Sequence, residues 1–392
     1  GPATNVALSA LGDLSKGRVL RTNVGPEGPV TGTVLNEGAV MSNNETGGLN
    51  VSLRATHQVK SNVLLTATLA RVHERQKLIP VSDLYLTEPA FTDHETQTLS
   101  GGFGEIQNNT ADRTDGQASA SIFLGKHHVK TGFEYLDNSI TNDFRAGLGR
   151  GAMGYVSRDN DTTWTWFQQF QIGTVHVRSP SLYAQDSWVV HERLRINAGL
   201  RWDGLLMKAA DGSTPIKITD QYQPRIGFIY EPGTLGSHKV FASFGRFYGQ
   251  VPTWSPGYYF INSEQYTAHY RQDPRIDPTP IDSVLLLPNP PGIGKLKGPH
   301  FDEFTLGYER DVRHTLKLGV RGIFRDQKET IEDASNSAGV FLLGNPGKGS
   351  LNFLPGPDRT YIALELTTEK LVGDRGNFIA SYVLSRKHGN YD

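Results

Sequence analysis

An alternation of apolar and polar side chains over residues 194–203 is the feature that most constrains the fold of this chain. In the run LRINAGLRWD every second residue is apolar, and the residues between them are charged, polar or glycine. A period of two indicates a β-strand whose faces meet different environments. The apolar face meets either a second sheet, in a soluble sandwich, or lipid, in a barrel with a wet interior. The run is long enough to cross a bilayer when tilted, which takes about 9–11 residues.

The connections between predicted strands favour the barrel. Strand pairs are joined by short turns, but successive pairs are separated by long connections at about 248–300 and 327–360. Short turns on one rim and long loops on the other are typical of outer-membrane barrels, whereas a sandwich keeps both sets short. We therefore expect the two long loops to lie on the same rim. The short turns lie at residues 191–193, 231–238, 311–314 and 371–376.

These patterns predict an all-β fold class, an antiparallel meander forming all or part of a large transmembrane outer-membrane β-barrel. We expect residues 1–48 to be a loop-rich segment and residues 49–392 to form the barrel. Turns on one rim must be separated by an even number of strands, yet two intervals show only three, counting a weak strand at 98–105. One further strand is therefore expected between Arg75 and Gln97, and one between Asn142 and Thr163. The turns used for this count lie near 57–62, 126–128 and 191–193.

The alternation also predicts which way side chains face. We expect the apolar residues of the run to face lipid and the polar ones to face the interior. These are Leu194, Ile196, Ala198 and Leu200 outward, and Arg195, Asn197 and Arg201 inward. Two hypotheses stay open for Asp186, Arg201 and Asp203 in the same hairpin. They form either a solvated charged ladder lining the lumen or a ligand or ion site there.

Aromatic residues collect near the inferred strand ends. Such a distribution is typical of the aromatic girdles that sit at bilayer interfaces, although a soluble β core also collects aromatics. The predicted girdle residues are Trp164, Trp166, Trp188, Trp202, Tyr183, Tyr230, Tyr248 and Phe247.

Composition excludes several classes of function. The net charge is −1, so electrostatics gives no reason to expect a nucleic-acid partner. The chain has no cysteine, which excludes disulfides and thiolate metal sites. The apolar run at 284–287 is far shorter than the roughly 18 residues of a transmembrane helix. The N-terminal residues lack the basic and apolar regions of a signal peptide, so we expect that a leader has been removed or that the chain starts within a longer protein.

No motif for covalent chemistry is present, and we expect no enzyme, no catalytic residues, no cofactor and no metal site. The chain contains no G-x-S-x-G, and its glycine clusters match no phosphate-binding loop. His127 and His128 are interpreted as part of an exposed turn. Residues 159–161, Asp-Asn-Asp, are likewise interpreted as a turn, because the further ligands of a calcium loop are missing.

The long loop at 248–300 is the candidate surface for a ligand or a partner. It is rich in aromatics and prolines, and long loops usually carry function. The alternative interpretation is a packed lid or a surface for self-association. The candidate residues are Trp254, Tyr258, Tyr259, Phe260, Tyr266 and Tyr270.

Several pieces of the chain, in order, resemble the β-barrel of TonB-dependent outer-membrane receptors, in particular the Oar-like group that carries a carboxypeptidase-regulatory-like domain. The likeness is carried mainly from about residue 116 onwards. The pieces are SLYAQDSW, LRINAGLRWD, QPRIGFIYEP, KVFASFGRFYGQVP, EFTLGYERDV, LKLGVRGIFRDQKETIED and YIALELTTEK, followed by FIASYVLSRKHGNYD.

The resemblance implies a receptor or transporter in the outer membrane of a Gram-negative-type bacterium, surrounded by outer-membrane lipid. Uptake of an unidentified ligand would use a plug moved by the TonB energy-transducing complex. Nothing in the chain resembles the plug, the TonB-contacting segment or the regulatory-like domain, so we expect a partial barrel without plug. Two alternatives stay open. One is a structural or assembly barrel that displays its loops to a neighbouring envelope protein, and the other is a passive porin.

Overall fold

The computed structural model describes residues 3–20, 33–83, 87–146, 154–160, 162–249, 259–287, 290–312, 315–373 and 376–391. In these ranges one large sheet contains 20 strands, and a separate small sheet contains three. Apart from two short parallel pairs, neighbouring strands of the large sheet run antiparallel, and its long strands pair in the order in which they occur along the chain, which confirms the predicted meander. Among the described residues, no helix is long and apolar enough to cross a membrane.

Most strands of the wall are long, and mostly shorter strands lie within the connections. The wall strands are β1 (Thr4–Gly12), β2 (Ser15–Leu20), β4 (Met41–Lys60), β5 (Val63–Pro80), β8 (Ile106–Leu124), β9 (His127–Ala146), β11 (Thr163–His191), β12 (Leu194–Lys208), β13 (Ile216–Tyr230), β14 (His238–Tyr248), β18 (His300–Val312), β19 (Leu316–Glu329), β22 (Arg359–Val372) and β23 (Gly376–Gly389). The shorter strands are β3 (Thr33–Val34), β6 (Ala90–Asp93), β7 (Thr98–Gly101), β10 (Tyr155–Asn160), β15 (Asn262–Tyr270), β16 (Asp282–Leu286), β17 (Gly292–Ile293), β20 (Glu332–Ser335) and β21 (Phe341–Gly344). Short 3-10 turns occur at Glu37–Ala39 and Gly349–Leu351.

The expected strands between the short turns exist, but they do not span the wall. β6 and β10 fall in the two intervals and pair with each other in parallel. The weak strand at 98–105 is only β7, which pairs with β6 and β3 in the same connection. Each interval therefore contains two spanning strands, and the inference that a spanning strand was missing is wrong. The miscount arose because the short β7 resembles a spanning strand in the sequence, and because the 29 residues of β11 resemble two strands.

The first residues of the chain also form strand. β1 and β2 pair with β4 along its length, for example Leu8 opposite Leu53, so strand occurs where the sequence predicted a loop-rich segment. β1 and β2 are separated at Asp13, whose carboxylate accepts a hydrogen bond of 2.8 Å from the backbone N–H of Gly48. Local alternation in β1 and β2 is weak, and it is the pairing with β4 that orders them. The division of the chain at residue 48 stays a prediction.

The two faces of the wall differ as predicted. Many large apolar side chains on one face are exposed, as lipid-facing side chains are, including Leu200 (51%), Ile226 (56%) and Leu306 (62%). The opposite face carries ion pairs and lines a lumen. Described residues form two buried apolar clusters, and both lie at the long-loop end of the wall, where connections pack on strand ends.

Candidate functional site

On the lumen-facing side of the wall, one arginine lies between two carboxylates. Arg201 on β12 donates to Glu134 on β9 at 2.6 Å and to Asp203 at 2.7 Å. The guanidinium also lies 6.0 Å from the ring centre of Tyr183 on β11. These side chains meet because Tyr183 is directly opposite Arg201 in the strand register. The wet interior makes such inward charges inexpensive, as the charged-ladder hypothesis requires.

The same arrangement continues around the wall with arginines stacked on aromatic rings. Arg225 on β13 lies 4.5 Å from the ring centre of Phe247 on β14. Phe247 stacks on Phe301 of β18 with ring centres 5.4 Å apart. Arg325 on β19 lies 4.6 Å from the ring centre of Phe301 and binds Glu303 at 2.9 Å. We call Tyr183, Arg201, Arg225, Phe247, Phe301 and Arg325 the lumen stripe. A recess of about 570 Å³ lies in the wall along its β11–β14 part.

Arg225 differs from the other arginines of the lumen stripe. Within the described part of the chain it forms no ion pair with a carboxylate and donates only to the side-chain oxygen of Gln223, at 3.2 Å. Gln223 in turn donates to Asp203. Arg225 therefore keeps donors that can reach a group inside the lumen. The sequence analysis missed Arg225, Phe301 and Arg325, although their inward positions follow from extending the alternation of β12 to β13, β18 and β19.

Lumen-facing glycines allow aromatic rings to lie flat against the wall. A Cβ atom at Gly132 would lie 2.6 Å from the ring of Tyr183, and one at Gly307 would lie 2.2 Å from the ring of Phe241. Both separations are far below a van der Waals contact. Covering a strand glycine with an aromatic ring is a known way to stabilise curved sheets. The two rings therefore depend on the absence of a side chain beneath them.

The facing of Asp186 corrects the sequence analysis. Its neighbour Gln185 is on the lumen side, so Asp186 lies on the lipid side, directly opposite Ala198. There it binds Nδ1 of His127 at 2.6 Å, and its Oδ1 atom has no hydrogen-bond partner among the described residues. Arg201 and Asp203 do face the lumen. Asp186 therefore belongs neither to the lumen ladder nor to a lumen site.

The predicted girdle is only partly at the outer face. Trp188 and Tyr230 lie outward near the short-turn rim, and Trp202 lies outward near the other end of β12, where it donates to the carbonyl of Thr219. Tyr183 and Phe247 belong to the lumen stripe, so their assignment to the girdle is wrong. Trp164 and Trp166 lie on the extension of β11 that pairs with β10 and β15, above the apolar band. The alternation places Tyr248 outward, where its ring lies 4.7 Å from that of His300.

The long loops fold over the lumen at the other rim. Phe260, Leu296 and Leu343 come from these loops, and they pack on buried lumen-facing residues at the ends of the strands. The wall residues of this cluster are Val175, Val177, Leu205, Met207, Ile216 and Ile218. The lumen face is thus polar along the stripe and apolar at the mouth, because the mouth is covered by protein rather than by water.

The two long loops are joined to each other, which confirms that they lie on one rim. β17 of the first loop pairs in parallel with β21 of the second. The side chain of Asn345 accepts from the backbone N–H of Lys297 at 2.8 Å and donates to its carbonyl at 2.9 Å. We call residues 259–287, 290–299 and 330–358 the mouth cover.

Four of the candidate loop residues fall in the mouth cover and are largely packed within it. Tyr259 donates a hydrogen bond to Asp333 at 3.1 Å, and Phe260 is 8% exposed. Tyr266 and Tyr270 lie on β15, which pairs with the extension of β11. Burial and the neighbouring Tyr266 raise the pKa of Tyr270 to about 12. Trp254 and Tyr258 lie outside the described residues.

The histidines found in the sequence have ordinary neighbours. His127 binds Asp186, and the ring of His128 stacks on Phe123 at 4.2 Å. No group of three or more metal-ligating side chains occurs in the ranges that the structure describes.

An antiparallel wall with a lipid-facing apolar side, an ion-paired lumen side and long loops over one mouth defines a class, the large β-barrels of the outer membrane. The family model described as TonB dependent receptor-like, beta-barrel matches residues 5–291, and the chain belongs to this family. The resemblance seen in the sequence is thereby confirmed, and so is the location in the outer membrane of a Gram-negative-type cell.

Individual relatives agree with this family. The chain is 27% identical over 345 residues to the TonB-dependent transporter Oar of Myxococcus xanthus, covering 74% of this chain and 32% of that protein. Its fold is similar to the FrpB iron transporter from Neisseria meningitidis (F3-3 variant), with a TM-score of 0.60 at 12% identity over 98% of this chain. The outer membrane transporter YddB from Escherichia coli gives a TM-score of 0.56 at 12% identity, again over 98% of this chain. The chain spans 50% and 46% of these two structures.

Proposed function

We propose that this chain is part of the barrel of a receptor that takes up a ligand across the outer membrane, driven by the TonB complex. The observation that supports this proposal is the mouth cover. Its two loops are joined to each other and pack on apolar wall residues above a polar lumen. A passive porin needs a mouth open to water, so this arrangement supports gated uptake over diffusion. The protein performs no covalent chemistry in this proposal.

The ligand-facing surface in this proposal is the outer side of the mouth cover together with residues 250–258. Tyr259 and Tyr266 are the candidates here that are only partly buried, whereas Phe260 and Tyr270 hold the loop in place. Trp254 and Tyr258 complete the candidate set. Aromatic side chains held by packing lose little entropy on binding, which supports their use as contacts.

The test uses the full-length protein in its native membrane. The proposal expects binding of the periplasmic domain of TonB and no steady conductance in a planar bilayer. A passive porin would conduct without TonB, and a purely structural barrel would neither bind TonB nor conduct. Deletion of residues 255–290 should leave barrel insertion intact, as judged by heat-modifiable migration in gels, and should abolish ligand-dependent growth. Unchanged growth would contradict the assignment of the ligand surface.

A further inference from the structure

Two recesses lie one above the other on the lipid-facing side of the wall, across β13, β14, β18 and β19. The lower one has a volume of about 650 Å³ and is lined almost entirely by apolar side chains. Phe244, Phe304 and Phe324 are paired across successive strands and line it, together with the smaller Ala242 and Gly322. Small residues among large ones make a groove rather than a smooth surface. We call this lower recess the apolar groove.

The upper recess begins at the next outward position along the same strands. Arg246 is the next outward residue after Phe244, and it forms two hydrogen bonds, of 2.8 and 2.9 Å, with Asp302. The recess has a volume of about 460 Å³ and is lined by charged and polar groups, including Lys297, Lys328 and Lys348. We call it the polar recess. The change from aromatic to charged side chains within one outward step marks the outer boundary of the hydrocarbon layer on this side.

The polar recess contains an ammonium group that forms no ion pair with the described part of the chain. Lys328 pairs with Asp326 and Lys348 pairs with Glu329, and each ammonium has three donors, of which a carboxylate uses one. Lys297 forms no ion pair within the described part of the chain and is exposed. Donors on three ammonium groups therefore converge on a recess at membrane level. A phosphate group is the anion that a membrane supplies at this depth.

An acceptor in the polar recess is also left without a partner. Glu329 is 5% exposed and its Oε2 atom has no hydrogen bond among the described residues, while Oε1 accepts from Lys348. A buried carboxylate oxygen without a donor costs free energy, so a group with hydroxyl or amide donors is expected to satisfy it. Asp220 adds a second, exposed acceptor to the recess. The phosphate of a phosphodiester has only acceptors at neutral pH and would not meet this need.

We propose that the apolar groove and the polar recess together bind one phosphorylated glycolipid of the outer leaflet. Its acyl chains lie in the apolar groove, its phosphate meets Lys297 and the neighbouring ammonium groups, and a sugar hydroxyl donates to Glu329. The ligand is defined by this combination of an apolar tail, an anionic group and hydroxyl donors. The site lies on the outside of the barrel and is independent of ligand uptake through the lumen.

The test measures glycolipid retained by the full-length protein after extraction and detergent exchange, by native mass spectrometry. Lys297→Glu should lower retention about five-fold or more, since one basic residue near a charged membrane surface contributes roughly that factor. Lys295→Glu is the matched control, because Lys295 is also exposed but does not line the recess. Gly322→Leu should fill the apolar groove and lower retention too. Its control is Gly116→Leu, which is outward on β8, and at both glycines a Cβ would meet no atom closer than 3.9 Å.

Three outcomes would overturn the proposal. The first is equal retention by Lys297→Glu and Lys295→Glu. The second is a loss with Lys297→Glu but none with Gly322→Leu, which would show that a free anion binds rather than a lipid. The third is equal retention of phosphatidylmethanol, which has the anionic group and the chains but no hydroxyl or amide donor. Heat-modifiable migration shows that each variant barrel is folded, so a loss of retention is not a loss of fold.

Discussion

The lipid-side position of Asp186 makes the cost of a charge at Ala198 depend on its neighbour. Ala198 is the middle one of the outward residues from Leu194 to Trp202 on β12. At about 3.4 Å per residue and a tilt of about 40°, these residues span about 21 Å of a band about 25 Å tall. Ala198→Arg therefore places the charge near the bilayer midplane, where an arginine costs about 2–4 kcal/mol.

Asp186 lowers that cost because it lies directly opposite Ala198 and has a free carboxylate oxygen. A hydrogen bond to a charged group contributes about 1.5–3 kcal/mol. Ala198→Arg should therefore cost the full 2–4 kcal/mol only when combined with Asp186→Asn, and less by about 1.5–3 kcal/mol in the wild-type background. The four proteins of this double-mutant cycle are compared by denaturant unfolding of the full-length protein in lipid vesicles.

Asn197→Arg is the control for this experiment, because Asn197 faces the wet lumen beside Ser187 and Gly227. It should change the free energy of unfolding by no more than about 0.5 kcal/mol. An equal cost of Ala198→Arg with and without Asp186 would show that the two side chains do not share the lipid face. A cost at Asn197 as large as that at Ala198 would refute the assignment of the faces.

Three further predictions follow from close contacts and from a shifted pKa. Gly307→Ala should destabilise by about 1–3 kcal/mol, because its Cβ would lie 2.2 Å from the ring of Phe241. Phe260→Ala should release the mouth cover from the wall, seen as faster amide hydrogen exchange at 259–262, because a buried ring anchors it. The pairing of β6 with β10 should weaken below about pH 4. Faster cleavage of these strands by pepsin would show this weakening. Burial disfavours the charged form of Asp93, but hydrogen bonds from Thr96 and from Arg158 outweigh burial and lower its pKa.

The direction of the pH effect at Asp93 follows from the linkage between proton binding and stability. A carboxyl whose pKa is lower in the folded state stabilises above its unfolded pKa, and that contribution disappears as the pH falls through the folded value. Asp93→Asn should remove the acid-dependent part of the pepsin sensitivity, and persistence of that part would contradict the assignment.

The other two predictions have their own checks. Gly322→Ala is the control for Gly307→Ala, since the nearest atom to the Cβ at Gly322 would be 3.9 Å away. Unchanged exchange at 259–262 in Phe260→Ala would show that other contacts hold the cover.

The alternation of β12 and the uneven connection lengths were enough to predict the fold class, the facing of Arg201 and the common rim of the two long loops. These features depend only on the period of two and on chain geometry. Apolar groups facing lipid and polar groups facing water are set residue by residue, so a single sequence records them. The strand register confirms each of them, and the family of the chain was visible in the same pieces.

The tertiary structure decided what depends on pairing between distant segments. Pairing with β4 orders β1 and β2, and the antiparallel register with β12 places Asp186 on the lipid side, although the sequence analysis had grouped it with the lumen residues Arg201 and Asp203 of the same hairpin. The apolar mouth could not be predicted from the sequence. Val175, Leu205 and Ile216 face inward, and they are covered by loops far away in the chain instead of by water. Local alternation specifies which side of a strand a residue faces, but folding determines whether that side meets lipid, water or other parts of the protein.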